Sequence, residues 1–414
     1  MMIRRQIGQK IAYNQIIDPS KKINQLSVNF ITSLKEEDAT LNSMLIYILS
    51  DSCKKYPNNL LLTTKLYDLY GASLEVSIDI IGTYHIMEMR LSFIDNKFSI
   101  DNENTALNCF ELMEEIITNP NLVSGMFPSD TVEFAKGFLN DLIQSEYYDE
   151  RNILIRCTQD MFGVNMPETC YGNSKDIGAI TPLLLANAFE QLLSNSIIEI
   201  FFLGTKDTFP SRFSINRDIN KFDKIHYQPY GFKIRDVNGI QKYDKHVPLE
   251  TSKLILLFGI DEKCDPYAIW LFSIIFGEAP FSRLCLSLRK NLGICYECYM
   301  QYDPFLNALF FYCNIESKNR KNAQSEVIHA LNNLKLNGIT DEELKYAKNY
   351  AINRLLSFNK GNNEIKRWGL LQILCNQNEM PTNRIVLVNN VEKEQINSVA
   401  HFIVFKGTHF LDNQ

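Results

Sequence analysis

Two side chains in this 414-residue sequence, Arg289 and Tyr296, are of types that can do chemistry on a polar substrate. A fixed guanidinium and a phenol O–H can both donate to an oxygen that gains negative charge, as a carbonyl oxygen does when an amide is hydrolysed. They fall in the run Ser282-Arg283-Leu284, then Leu288-Arg289, then Leu292-Gly293-Ile294-Cys295-Tyr296. This pattern places Arg289 where a helix ends and Tyr296 on the strand after Gly293, so that rigid elements hold both. The same residues also suit an Arg that caps its helix and a half-buried strand Tyr. The pair alone does not decide between the two.

Other chemistry-bearing residues are weaker candidates. Cys295 and Cys298 have C-x-x-C spacing, but strand positions three apart point to opposite faces, so packing is the expected role. His85 sits on an apolar alternating strand and reads as structural. His246, His329, His401 and His409 have no second ligand at helix or strand spacing, and His226 falls in a connecting segment. Glu36-Glu37-Asp38 reads as an acidic first turn of a helix. No phosphate-binding glycine loop, serine nucleophile elbow or dinucleotide fingerprint is present.

The elements that must position the pair occur twice. Lys65-Leu66-Tyr67-Asp68-Leu69-Tyr70-Gly71-Ala72-Ser73-Leu74-Glu75-Val76 matches Ser287-Leu288-Arg289-Lys290-Asn291-Leu292-Gly293-Ile294-Cys295-Tyr296-Glu297-Cys298, with Leu, Gly and Glu in register 222 residues apart (71 to 293). Each copy reads as a helix closed by a left-handed Gly and followed by a strand. An alternating apolar run precedes each copy: Leu26, Val28 and Phe30 in the first, residues 253–260 in the second. Each run leads into an apolar helix, residues 41–49 and 267–276. A second strand follows each copy (84–93; 308–315), then two helices, the last pair containing Phe134-Ala135-Lys136 and Tyr346-Ala347-Lys348. The order strand, helix, helix, strand, strand, helix, helix predicts an α+β class: two homologous domains, each an antiparallel sheet covered by helices. The expected division is 1–205, a connection at 206–246 rich in Pro, Gly and polar residues, and 247–414.

Composition narrows the function. Residues 1–200 hold 15 Lys+Arg against 26 Asp+Glu, and residues 201–414 hold 27 against 22, so an acidic half precedes a mildly basic one. No basic aromatic patch suggests nucleic acid. Apolar runs stay below the roughly 20 residues of a membrane span. The basic start Met1-Met2-Ile3-Arg4-Arg5 leads into no apolar stretch, so no secretory signal is expected. Ten scattered cysteines suit a reducing compartment, and a cytoplasmic location is expected.

Within this frame, the Arg289/Tyr296 run resembles the second-domain motif of the pitrilysin family of inverzincin metallopeptidases, which includes insulin-degrading enzyme and mitochondrial processing peptidase. The resemblance extends over about residues 26–402. Catalytic members carry His-x-x-Glu-His on the first helix of the first domain, where two His bind zinc and the Glu activates water. Here residues 41–49 contain no His, Glu, Asp or Cys. Glu133, Asp141 and Glu146 lie on the later helix where a distal ligand could sit, but the other ligands would still be missing.

The resemblance therefore implies a chain that binds no metal of its own. It would be the substrate-binding, non-catalytic subunit of a heterodimeric zinc peptidase. Arg289 and Tyr296 would assist catalysis, with Arg283 and Glu297 as substrate contacts. Zinc would sit on a partner subunit of the same family bearing the His-x-x-Glu-His motif. Peptides would be the substrates, with no nucleic acid and no membrane as partner. The alternative is a structural or peptide-binding core protein with no part in catalysis. Gly277-Glu278-Ala279-Pro280-Phe281 is poor in Gly where some family members carry a Gly-rich loop, so loop-based substrate selection does not carry over.

Overall fold

The computed structural model describes residues 2–100, 103–163, 165–206, 225, 227, 240–260, 264–357, 361–377 and 381–413. Most of the expected connection at 206–246, including His226, lies outside the described residues. The chain forms two compact units. The first comprises Met1–Arg156, Asn165–Pro229 and Gly369–Gln377; the second comprises Cys157–Val164, Tyr230–Trp368 and Asn378–Gln414.

The first unit contains β1 (Met2–Gly8), β2 (Ile11–Ile17), β3 (Ile23–Ser33), α1 (Glu36–Asp51), α2 (Asn59–Asp68), β4 (Ser73–Ile81) and β5 (Tyr84–Ile94). These are followed by α3 (Thr105–Thr118), α4 (Ser129–Glu146), α5 (Glu150–Phe162, which from Cys157 onward belongs to the second unit), α6 (Pro182–Asn195) and β6 (Ile197–Gly204). The sheet order is β1-β2-β6-β3-β5-β4. Along β3 the side chains of Leu26, Val28 and Phe30 enter the apolar core beside Met44, Leu45 and Leu49 of α1. The alternate residues Gln25, Ser27 and Asn29 are buried too, on the opposite face, as the two-residue period requires. That polar face is organised around Glu199 of β6. Its carboxylate accepts from Arg4 Nη2 at 2.6 Å, Asn14 Nδ2 at 2.6 Å and Tyr227 Oη at 2.7 Å. Three donors on one buried carboxylate supply the partners that burial of a charge demands.

The second unit begins with β7 (Gln241–His246), β8 (Ser252–Ile260) and α7 (Pro266–Ser273). Two π-helical turns follow, Ile274–Glu278 and Cys285–Asn291. Then come β9 (Cys295–Asp303), β10 (Ala308–Ile315), α8 (Arg320–Asn337), α9 (Asp341–Ser357), α10 (Asn362–Leu374, which from Gly369 onward belongs to the first unit), α11 (Arg384–Asn390), α12 (Lys393–Phe402) and β11 (Ile403–Asp412). Its sheet order, β7-β11-β8-β10-β9, repeats β2-β6-β3-β5-β4 of the first. In both sheets the outermost pair of that repeat is parallel, β2 with β6 and β7 with β11, and the other pairs are antiparallel. The sheets are thus mixed rather than purely antiparallel. The expected two helices after the second strand also undercount: among the described residues four α-helices follow β5 and five follow β10.

The duplicated unit keeps its hydrogen bonds as well as its residues. Ala72 N donates to Leu66 O at 3.0 Å, and Ile294 N donates to Leu288 O at 3.0 Å, the same six-residue closure of a helix end. Gly71 and Gly293 hold φ of 71° and 62°. A Cβ at either would meet nothing within 4 Å, so backbone handedness, not space, calls for glycine.

Candidate functional site

Arg289 and Tyr296 occupy the expected elements. Arg289 lies in the last turn of the π-helical segment Cys285–Asn291, and Tyr296 is the second residue of β9. Both are exposed, Tyr296 by 72%. Among the described residues neither makes a hydrogen bond or ion pair, so the guanidinium and the phenol remain available to a ligand. A structural Arg–Tyr pair buried and mutually satisfied is not what the fold presents.

The exposure of Tyr296 has a specific backbone cause. In the β9–β10 ladder Glu297 pairs with Asn314, while the next partner of Ile315 is Cys295. Tyr296 is therefore the extra residue of a β-bulge, paired to nothing across the strand. A bulge re-aims one side chain and shifts the phase of those beside it. Cys295 and Cys298 are consequently both buried, with Tyr296 and Glu297 both exposed between them. The expectation that the two cysteines point to opposite faces is corrected by this shift of phase. β4, the matching strand of the first unit, pairs with β5 in unbroken register.

The helical side of the site is unusual too. The Cys285–Asn291 turn is wound as a π-helix, a form that concentrates at functional positions. It is fastened on its flank by Arg283, whose Nε and Nη2 donate to the two carboxylate oxygens of Glu343 at 2.6 and 2.8 Å and whose Nη2 also reaches Gly338 O at 2.8 Å. A substrate would have to compete with all three acceptors for Arg283. Burial acts to raise the Glu343 carboxyl, but the hydrogen bonds from Arg283 and Thr340 outweigh it and hold the group below its ordinary value. Glu297 is exposed and accepts from Asn314 Nδ2 at 3.2 Å. Upstream, Gly277 brings the first π-helical turn against β9: a Cβ there would stand 2.7 Å from Met300 Cβ.

In the first unit, α1 is the element that bears the metal motif in catalytic relatives. Its first turn is acidic, as expected, with Glu36, Glu37 and Asp38. Farther along, Tyr47 faces α4, where its ring meets Phe138 edge-on at 5.0 Å. Glu146, at the end of α4, accepts from Tyr171 Oη at 3.0 Å. Burial raises both phenols, Tyr47 to about 12 and Tyr171 further, with Cys170 and Glu146 adding to the effect, so both stay protonated. Glu133 is exposed and ion-paired with Lys136 at 2.8 Å. A zinc ion does not suit this donor set: protonated phenols are poor ligands, and α1 brings no His.

The segment 169–173 covers this region. Asn173 N donates to Thr40 Oγ1 at 2.9 Å, and Asn173 Nδ2 donates to Asp176 at 2.8 Å and Glu36 at 3.2 Å. Gly172, at φ 114°, approaches so closely that a Cβ would stand 2.2 Å from Thr40 Oγ1. His85 Nε2 lies 3.0 Å from Cys170 O, which gives this buried imidazole the structural role expected of it. Gly172 had no signal in the sequence beyond being a glycine flanked by Tyr171 and Asn173.

The two halves share one α+β plan, with Arg289 and Tyr296 exposed in one and no His on α1 in the other. Residues 181–350 match the peptidase M16 inactive domain, the M16 group being the pitrilysin family that the sequence resembles. It is similar to the probable inactive metalloprotease YmfF of Bacillus subtilis, at 23% identity over 95% of this chain and 94% of that one. Among solved structures it resembles a conserved protein from Enterococcus faecalis V583, with a TM-score of 0.87, 22% identity and coverage of 100% of this chain and 99% of the other. It also resembles a protease from Helicobacter pylori, with a TM-score of 0.78, 14% identity and coverage of 100% and 99%.

Proposed function

We propose that this chain is the non-catalytic, substrate-binding subunit of a heterodimeric zinc peptidase. A partner of the same family carries the zinc and its water, and this chain contributes Arg289 and Tyr296. The observation that carries the reading is that Arg289 and the bulged Tyr296 are exposed and unengaged among the described residues. Natural selection for packing alone gives no reason to expose a Tyr on a bulge beside an unpaired Arg.

The chemistry of this chain's own residues follows from charge. When a peptide carbonyl becomes tetrahedral, its oxygen gains negative charge. The guanidinium stabilises that charge by Coulomb attraction and hydrogen bonding, and the phenol O–H adds a neutral donor. Both are carried by hydrogen-bonded secondary structure, a π-helical turn and a strand, so little reorganisation is needed when charge develops. Zinc on the partner would supply the activated water.

The test is reconstitution with a partner bearing His-x-x-Glu-His. Turnover of peptides should require both chains. Arg289→Ala and Tyr296→Phe should each lower turnover about 100–1,000-fold, the usual cost of losing an oxyanion donor, while assembly measured by sedimentation is unchanged. Full turnover by both variants would leave the chain as a peptide-binding or architectural core.

A further inference from the structure

Beneath Arg289 and Tyr296 lies a group of thiols that the proposed chemistry does not use. Cys285 Sγ is 3.4 Å from Cys298 Sγ and 3.4 Å from Cys298 O. Cys295 is buried alongside, because the bulge at Tyr296 puts it on the same side of β9 as Cys298. The sulfurs do not form a metal cage: among the described residues no group of three or more His, Cys, Asp or Glu is arranged to hold an ion. They do bring together the π-helical turn that carries Arg289 and the strand that carries Tyr296.

We propose that Cys285 and Cys298 are a redox modification site, oxidised by hydroperoxides to a reversible disulfide that ties the Arg289 turn to the Tyr296 strand. Two sulfurs already in van der Waals contact need only a small approach and rotation to bond, and the free thiols on either side are buried but not sealed, each with 8% of its surface exposed. The order of reaction follows from their surroundings. The hydrogen bond from Cys298, then that from Ser282 and the charge of Arg289, lower the Cys285 thiol to about 6 despite burial. The hydrogen bonds that Cys298 shares with Cys285 and with Cys295, and its burial, raise the Cys298 thiol. Cys285 is thus the thiolate that attacks the peroxide.

The electrons balance in two steps. The Cys285 thiolate forms an S–O bond as the O–O bond of hydrogen peroxide breaks, giving a sulfenic acid and hydroxide. The Cys298 sulfur then attacks Cys285, the S–S bond forms, the S–O bond breaks, and the leaving hydroxide takes the Cys298 proton as water. Two thiols are oxidised and one peroxide is reduced to two waters. A thiol reductant reverses the change by exchange.

The experiment treats the full chain with hydrogen peroxide, alkylates it under denaturing conditions and measures intact mass and disulfide-linked peptides. The expected result is two fewer alkylations, a linked peptide joining Cys285 to Cys298, and full reversal by dithiothreitol. Cys295→Ser should keep the link. Cys298→Ser should abolish it and leave Cys285 as a sulfenic acid trapped by dimedone. Full alkylation of both residues after peroxide, or a link from Cys285 to Cys295, would overturn the proposal. The mass measurement needs neither a partner nor turnover, so its failure is distinct from failure of the subunit reading.

Discussion

The two copies of the helix–glycine–strand unit share a glycine at the same φ region, the same closing hydrogen bond and the same place in a five-strand order, yet they end in opposite states. In the first unit the strand keeps an unbroken ladder, and α1 beside it is roofed by residues 169–173 and lined with protonated phenols. In the second unit the helix is π-wound and the strand bulges, and Arg289 and Tyr296 stand in solvent. The matched position to Arg289 in the first copy is Tyr67, and that of the bulged Tyr296 is Leu74, which pairs with Leu91 across the ladder. Duplication supplied the scaffold twice. The second copy carries the π-winding and the bulge; the first keeps its strand in register, places Tyr70 at φ 60° before its glycine and leaves Tyr67 exposed.

That contrast can be broken or sharpened by substitution. The largest effect is expected where it reaches chemistry: in the reconstituted complex Arg289→Ala should cost about 100–1,000-fold in turnover, while Tyr67→Ala at the matched site should leave turnover unchanged. Equal losses would show that the two copies do not differ in function. The next largest effect should fall on the roof of α1. Gly172→Ala must adopt a left-handed φ and displace Thr40, so thermal or urea unfolding should show a loss of at least roughly 1–3 kcal/mol, with turnover preserved in what remains folded.

Arg283→Ala should be a stability change rather than a catalytic one, at about 1–3 kcal/mol, because it leaves a half-buried Glu343 carboxylate without its partner. Its pH dependence has a definite sign. The folded Glu343 carboxyl lies below its ordinary value of 4.5, so its contribution is present above that value and is lost as pH falls through the depressed one. The difference in unfolding free energy between wild type and Arg283→Ala should therefore shrink as the solution is acidified below pH 4.5. A difference that stays constant through that range would remove Glu343 from the account. The smallest change is Tyr171→Phe, which deletes one hydrogen bond to Glu146 and should lower stability by about 0.5–1.5 kcal/mol with no effect on peptide turnover.

Much of the fold could be read from particular residues. Gly71 and Gly293 marked the two turns because only a left-handed position makes that residue worth keeping at the end of an apolar helix. Leu26, Val28 and Phe30 marked β3 because one face of it lies on helices. The metal-bearing helix was legible by what residues 41–49 lack. Other features left no trace in periodicity. The parallel pairs β2 with β6 and β7 with β11 depend on contacts far apart in the chain. The π-winding of Cys285–Asn291 uses residues that would equally suit an α-helix. The bulge was the costliest omission: alternation places Cys295 and Cys298 on opposite faces, and one unpaired residue reverses that. Of the candidate site, Arg289 and Tyr296 were found through resemblance, Arg283 proved to be held by Glu343, and the thiol contact between Cys285 and Cys298 was visible only once the strand's true phase was known.

A residue that occupies the chain without occupying the ladder is insulated from the sheet that carries it. Position 296 can change its side chain with no cross-strand neighbour to disturb, whereas a change at Cys295 or Cys298 reaches straight into the apolar interior. The fold thus offers a tunable outpost: altering one position would change the surface presented to solvent without renegotiating how the chain folds.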